Sequence, residues 1–395
     1  MALRGPCDGY RVIDFTTMVS GPVCTQVLGD LGADVVKVEA PPFGDPSRVT
    51  HSQVRDGLSG YFAQLNRNKR SLVLDLRGER GRQVALRLCA GADVVVQNFR
   101  PGVAERLGIG YEALRALRPE LIFVAITGFG PDGPYATQPA YDHVLQGLTG
   151  MLPVQGSPEA PRMIQSVVVD KASGLAAAQA TVAALLARER SGRGQRVDVP
   201  MLDAYAAYML PELLGAYSFP DLPPGDPSIA QRFFRTWATA DGFVVGIVVQ
   251  DAQFEGFCRM VEREDLLEDP RFGSLAGRFQ NLAEFQDAVE AELRKWTSAE
   301  LVERARRFEV PFAPVLDFEG FLADAQTRHN QTVYERVDGE GRALRQLAHA
   351  ARYAETPASH RLDPPALGAH GDAVLAEAGF DVDEIARLRD EDVVG

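Results

Sequence analysis

The chain has little of what the commonest function classes require. No run of about 18 apolar residues occurs to cross a bilayer. The opening MALRGPCDGYRVIDF lacks the apolar stretch of a secretory leader, so a cytoplasmic location is expected. Cysteines are few and show no CxxC spacing: Cys7, Cys24, Cys89 and Cys258 suggest neither a disulfide framework nor a metal site, and Cys24 reads as a small apolar filler. Positive charge is in deficit, with 41 Lys and Arg against 54 Asp and Glu, a formal net charge of −13. That balance argues against nucleic acid and anionic membrane as partners. A Walker A loop, a GxSxG elbow and an HExxH helix are all missing, which removes the signatures of phosphoryl transfer, serine hydrolysis and zinc proteolysis. What is present is ordinary globular material, 46% hydrophobic and 24% charged, in 395 residues that allow two or three domains.

The most informative segment is Val12 to Glu39, VIDFTTMVSGPVCTQVLGDLGADVVKVE. Val12 to Phe15 is a short apolar strand. Ser20-Gly21-Pro22 then supplies a capping oxygen, a permissive glycine and a first-turn proline, the start signals of a helix. Val23, Val27, Leu28 and Leu31 repeat at helical spacing, Gly32 stops the helix, and Val35 to Val38 is the next buried strand. This β-α-β unit faces a ligand with its first turn, yet lacks the glycine fingerprint of dinucleotide binding.

Further strands are expected at Leu72 to Leu76, Asp93 to Gln97 and Leu121 to Ile126, with helices at Glu79 to Ala90 and Tyr111 to Leu117. That alternation predicts an α/β fold with a Rossmann-like, doubly wound parallel sheet. Val167 to Val169 leads to Asp170, and the alanine-rich stretch Lys171 to Arg190 predicts one long buried helix. Arg196 to Val199 reads as extended and Met201 to Tyr217 as an apolar helix. The tract FPDLPPGDP, Phe219 to Pro227, marks a linker. The expected organisation is a large domain over 1–218, a smaller α+β domain over 219–331 containing a hairpin around Asp241-Gly242, and a segment over 332–395 that returns to the large domain and ends in a helix from Asp381.

Two features invite a ligand reading. Six basic residues (Arg67, Lys69, Arg70, Arg77, Arg80, Arg82) form a local cluster suited either to a small polyanion or to a solvated strand flank. Gly128 to Gly133 (GFGPDG) matches GxGxxG after a strand, but Pro131 and Pro134 remove backbone donors and no helix begins until about Ala140. The loop is therefore expected to border a site without cradling a phosphate.

Taken together, DFTTMVSGP with LGDLGADVVKVE, NRNKRSLVLDL, DVVVQNFRPGVAERLGIGYEAL, ITGFGPDGP, YDHVLQGLTG, Asp170 before its helix, SGRGQRVDV and LGAHGDAVL resemble the class III CoA-transferases in order and over most of the chain. Members include formyl-CoA transferase and carnitine CoA-transferase. The resemblance implies an enzyme with no permanently bound cofactor or metal, acting on coenzyme A thioesters and a small carboxylic acid, built as an interlocked ring homodimer. It implies that Asp170 is the nucleophile, passing through a mixed anhydride and an aspartyl-CoA thioester; such covalent catalysis divides one hard exchange into easier steps. A helix N-terminus would keep that carboxylate ionised. Residue by residue, the coenzyme A contacts carried over are Val19, Ser20, Leu74, Arg77, Asn98, Phe99, Arg106 and Tyr141, with Arg77 and Arg106 as phosphate partners. Ala40 and Pro139 stand where basic residues are expected, and the tetraglycine loop of the formyl-CoA enzymes is absent.

Two rival functions share these features. A 2-methylacyl-CoA racemase of the same fold would use a histidine where this chain has Tyr141; His143, two residues on, should point off that helix face. A non-catalytic CoA-binding protein is the second.

Overall fold

A computed structural model describes residues 5–50, 53–225, 234–338 and 341–395; the first four residues, and Asp226 and Pro227 of the proline-rich tract, lie outside the described residues. The chain forms two compact units, residues 1–210 with 331–395, and residues 211–330. The second begins at Pro211, ahead of the boundary expected at 219, because the apolar run after Met201 is broken there: one helix spans Met201–Met209 and a short one Pro211–Gly215. Proline at 211 removes a backbone donor, so the first helix cannot continue.

The first unit is built on six parallel strands, Arg11–Asp14, Asp34–Glu39, Lys69–Val73, Val94–Gln97, Ile122–Thr127 and Arg196–Pro200. Counted in chain order within this sheet they lie 3-2-1-4-5-6. That is the doubly wound order, whose direction reverses between the first and fourth strands. Successive side chains alternate between faces. Val12, Val35, Val94, Val96 and Val124 pack on one face against the opening helix, Ser20–Asp30, and the long helix, Val168–Ser191. Ile13, Val36, Leu72, Val95 and Phe123 pack on the other, against helices Glu79–Ala90, Tyr111–Leu117, Gly371–Glu377 and Val382–Asp390.

Several expectations need correction. The third strand is Lys69–Val73 rather than Leu72 to Leu76, so two basic residues enter the sheet. The long helix, expected from Lys171, already begins at Val168 and so includes Asp170. That helix is buried on one face only, and Leu175, Val182 and Leu186 are exposed. Basic residues 67–82 do not form a free patch. Arg67 pairs with Asp30, Lys69 with Asp14, Arg70 with Asp34 and Glu377, Arg77 with Asp75, and Arg80 with Glu391. Arg82 bonds the carbonyls of Leu76 and Arg77.

The second unit carries a three-stranded antiparallel sheet from Thr236–Ala238, Phe243–Gly246 and Phe312–Pro314, the first two forming the hairpin around Asp241-Gly242. Its core is aromatic, with Phe285 packed against Phe254, Phe257 and Phe272. In the first unit, residues 331–395 give a hairpin, Val333–Val337 with Ala343–Leu347, and a final helix that opens on a capping box at Asp381.

Candidate active site

The first and fourth strands end side by side at the reversal of strand order, and their loops are stitched together. Asn98 accepts from the Thr17 N–H at 3.0 Å and donates to the Thr17 carbonyl at 2.8 Å. Crevices at such reversals, beyond the carboxyl ends of the strands, are where α/β sheets hold ligands. The opening helix starts there. Ser20 is its first residue and Val19 occupies the cap position, so the Ser20 hydroxyl is not the helix cap that its sequence context suggests.

Its role lies across the crevice. The N–H and hydroxyl of Ser20 lie near enough to the carboxyl of Asp170, in the first turn of the long helix, to favour its ionised form. Two glycines allow this approach. A β-carbon on Gly174 would fall 2.5 Å from the Ser20 carbonyl oxygen and 2.7 Å from Val23 Cβ, and one on Gly21 would fall 2.2 Å from Thr16 Cβ. All three distances lie well inside van der Waals contact, so the close approach is possible only because these residues lack side chains.

The long helix is capped from a distance. Asp142, which opens the helix Asp142–Leu148, is buried and accepts from the backbone N–H groups of Val169 at 2.7 Å and Asp170 at 3.2 Å. Its other oxygen takes the Gln146 side-chain amide at 2.6 Å. A carboxylate at a helix N-terminus satisfies donors that the helix itself cannot.

Burial, and next the charge of Asp142, push Asp170 up to about 6, against the opposing pull of the Ser20 N–H and hydroxyl and of His143. The helix N-terminus does not hold Asp170 at the ordinary carboxylate value, because desolvation and the neighbouring acid outweigh it. At neutral pH the group is still largely ionised. Tyr61 stands by the same pair, its phenol pushed up to about 12 by burial and then by Asp170 and Asp142. His143 is near enough to act electrostatically on Asp170, as the smallest of the causes named.

Among the other residues singled out from sequence, Val19 is buried at the mouth of the opening helix, and Tyr141 caps the Asp142–Leu148 helix with 69% of its surface exposed. Leu74 is a core side chain; its N–H goes to the Glu39 carbonyl and its backbone bridges Val394. Phe99 packs on the core with its N–H on the Gln97 side chain at 2.7 Å. Arg77 is held by Asp75 at 2.7 Å, whereas Arg106 is exposed, with no side-chain hydrogen bond or ion pair among the described residues. No helix starts at the GFGPDG loop: Gly128 packs on Ala140, and the next helix begins at Asp142. Cys24 is fully buried, and its thiol is pushed up to about 12 by burial.

Sequence reasoning missed Asp142, Lys37 and Asp45. Signals existed: an acid beside Tyr141, a lysine inside the apolar run VVKVE, and an Asp-Pro-Ser turn start. No group of three or more His, Cys, Asp or Glu side chains suited to a metal ion exists among the described residues.

Comparison with known proteins places these features in a family. Residues 7–371 match CoA-transferase family III. A succinate–glutarate CoA-transferase of Agrobacterium fabrum is 33% identical, over 95% of this chain and 96% of that protein. A formyl-CoA:oxalate CoA-transferase of Escherichia coli is 31% identical, over 97% and 98%. The crystal structure of a CAIB/BAIF family protein from Brucella suis superposes with a TM-score of 0.82 at 31% identity, covering 95% of this chain and all of that one.

Proposed function

Since the chain belongs to CoA-transferase family III, we propose that it moves coenzyme A from an acyl-CoA thioester to a small organic carboxylic acid, with Asp170 as covalent carrier. The carrying observation is the carboxyl of Asp170 in the first turn of the long helix, near Ser20 at the start of the opening helix and raised to about 6. An ionised but partly desolvated carboxylate is a better nucleophile than a fully hydrated one.

In this reading a carboxylate oxygen of Asp170 attacks the thioester carbonyl, forming a mixed anhydride and expelling CoA thiolate. The thiolate attacks the Asp170 carbonyl, giving an aspartyl-CoA thioester and releasing the first acid. An incoming carboxylate reverses both steps and leaves with the coenzyme A, and Asp170 is regenerated. Ser20 supplies donors where negative charge develops on the carbonyl oxygens. Val19, the Leu74 backbone, Asn98, Phe99 and Tyr141 line the coenzyme A path. Arg106, with no internal partner, is the better-placed phosphate contact; Arg77 must first exchange Asp75 for phosphate. We place the enzyme in the cytoplasm, as an interlocked homodimer.

Succinyl-CoA and acetyl-CoA offered with oxalate, succinate, glutarate and longer acids, read by mass spectrometry, test the reading. Transfer is expected in the wild type and its loss in Asp170→Ala; full transfer by that variant overturns the nucleophile assignment. One observation favours a second reading. His143 lies within electrostatic reach of Asp170, and two groups of that kind could pass a proton at the α-carbon of an acyl-CoA. Deuterium uptake there without acyl exchange would establish it.

A further inference from the structure

The loop that carries Ser20 into the site is held at successive residues by side chains from outside it. The Thr16 N–H donates to Asp14 at 2.8 Å and its carbonyl accepts from Lys37 Nζ at 2.7 Å. Asn98 takes both backbone groups of Thr17. The Met18 N–H donates to Asp45 Oδ1 at 3.1 Å. Met18 itself has φ of 67°, a left-handed conformation that an L-residue holds only when its surroundings impose it.

Lys37 and Asp45 are the centre of this arrangement. They form an ion pair at 2.9 Å with both side chains fully buried. Asp45 also caps the turn Pro46–Arg48 through the Ser47 N–H at 2.9 Å and hydroxyl at 2.8 Å, and its own N–H is fixed by Glu39 at 3.0 Å. A buried ion pair is poor evidence for stability, because apolar residues of similar volume commonly serve a core as well or better. An apolar pair could not, however, donate to the Thr16 carbonyl and accept from the Met18 N–H. The charges are thus explained by the geometry they impose on residues 16–18 better than by the packing they provide.

We propose that Lys37 and Asp45 are positioning residues for acyl exchange, holding the Thr16–Met18 turn so that Ser20 stays packed against the long helix beside the Asp170 carboxyl. The inference rests on Asp170 being the acyl carrier. The pair never touches substrate; it acts through the backbone of the loop, so its loss should slow chemistry more than it weakens the fold.

The test replaces the pair by apolar residues, Lys37→Met with Asp45→Leu, in the full chain, beside the milder Asp45→Asn should the double variant fail to fold. Amide hydrogen exchange at residues 16–20 and the single-turnover rate of CoA loading onto Asp170 are followed together. The expected result is at least tenfold faster exchange at residues 16–20, a loading rate lower by 10- to 100-fold, and a melting temperature within a few degrees of wild type. Adding Met18→Gly to Asp45→Asn should recover part of the rate, since glycine adopts the left-handed turn without help. Native loading by the variants overturns the proposal, whatever the exchange shows. If the wild type never loads CoA, the carrier reading fails on its own account; the loop claim is then decided by exchange, and native protection at residues 16–20 overturns it.

Discussion

As the proposed acyl carrier, Asp170 should set the pH behaviour of the reaction. With its carboxyl near 6, kcat/KM should fall about tenfold per unit below that pH as the nucleophile is protonated. Asp142→Asn removes the second-largest cause of the shift, so the acid limb should move to lower pH; an unmoved limb contradicts the assignment. The same shift bears on stability. A carboxyl raised in the folded state is protonated in both states below about pH 4, so it has no effect there. Between about 4 and 6 only the unfolded chain gains by ionising, and above 6 the full penalty applies, roughly 3 kcal/mol for a shift of about two units. Asp170→Asn should therefore raise stability at pH 7 by about 1–3 kcal/mol, offset in part by weaker attraction to the Ser20 N–H and hydroxyl, with the gain vanishing toward pH 4 in denaturant titrations. The resemblance of the sequence to a family pointed to Asp170, but its partners were not legible. Ser20 reads locally as a helix cap, and Asp142 bonds residues 27 and 28 positions away, a pairing only the fold creates.

The two helices that frame the site depend on a missing side chain. Gly174→Ala would place a methyl group 2.5 Å from the Ser20 carbonyl oxygen and push the long helix off the opening one. Overpacking of this kind costs about 1–3 kcal/mol. It should lower the melting temperature and reduce kcat more than it raises KM, since Ser20 and Asp170 would part; an unchanged kcat would contradict this. Elements governed by their own periodicity were readable from sequence, and Glu79–Ala90 and Tyr111–Leu117 have the bounds that the apolar spacing predicts. Elements governed by distant partners were not. The long helix begins at Val168 because Asp142 satisfies its first donors, and Lys69 joins a strand because Asp14, Asn66 and the Pro22 carbonyl await its ammonium in the interior.

At the scale of the whole chain, each compact unit has its own core, so damage should stay local. Phe285 packs against three other phenylalanines at centroid distances of 5.5–5.7 Å, and Phe285→Ala should cost about 3–5 kcal/mol. Hydrogen exchange should rise across 236–314 and stay native across 11–39; loss of protection in both would show the units to be one cooperative body. The doubly wound sheet was legible in the alternation of strand and helix, because that pattern needs only local signals. No helix among the described residues is long and apolar enough to cross a membrane. The half-protonated state of Asp170 near pH 6 also makes it a chemical handle. Diazo reagents esterify carboxylic acids and spare carboxylates, so brief treatment at that pH should mark Asp170 ahead of ordinary surface acids, which are almost wholly ionised there. A covalent stain of this kind would count competent sites in a preparation directly, without knowledge of the physiological acid.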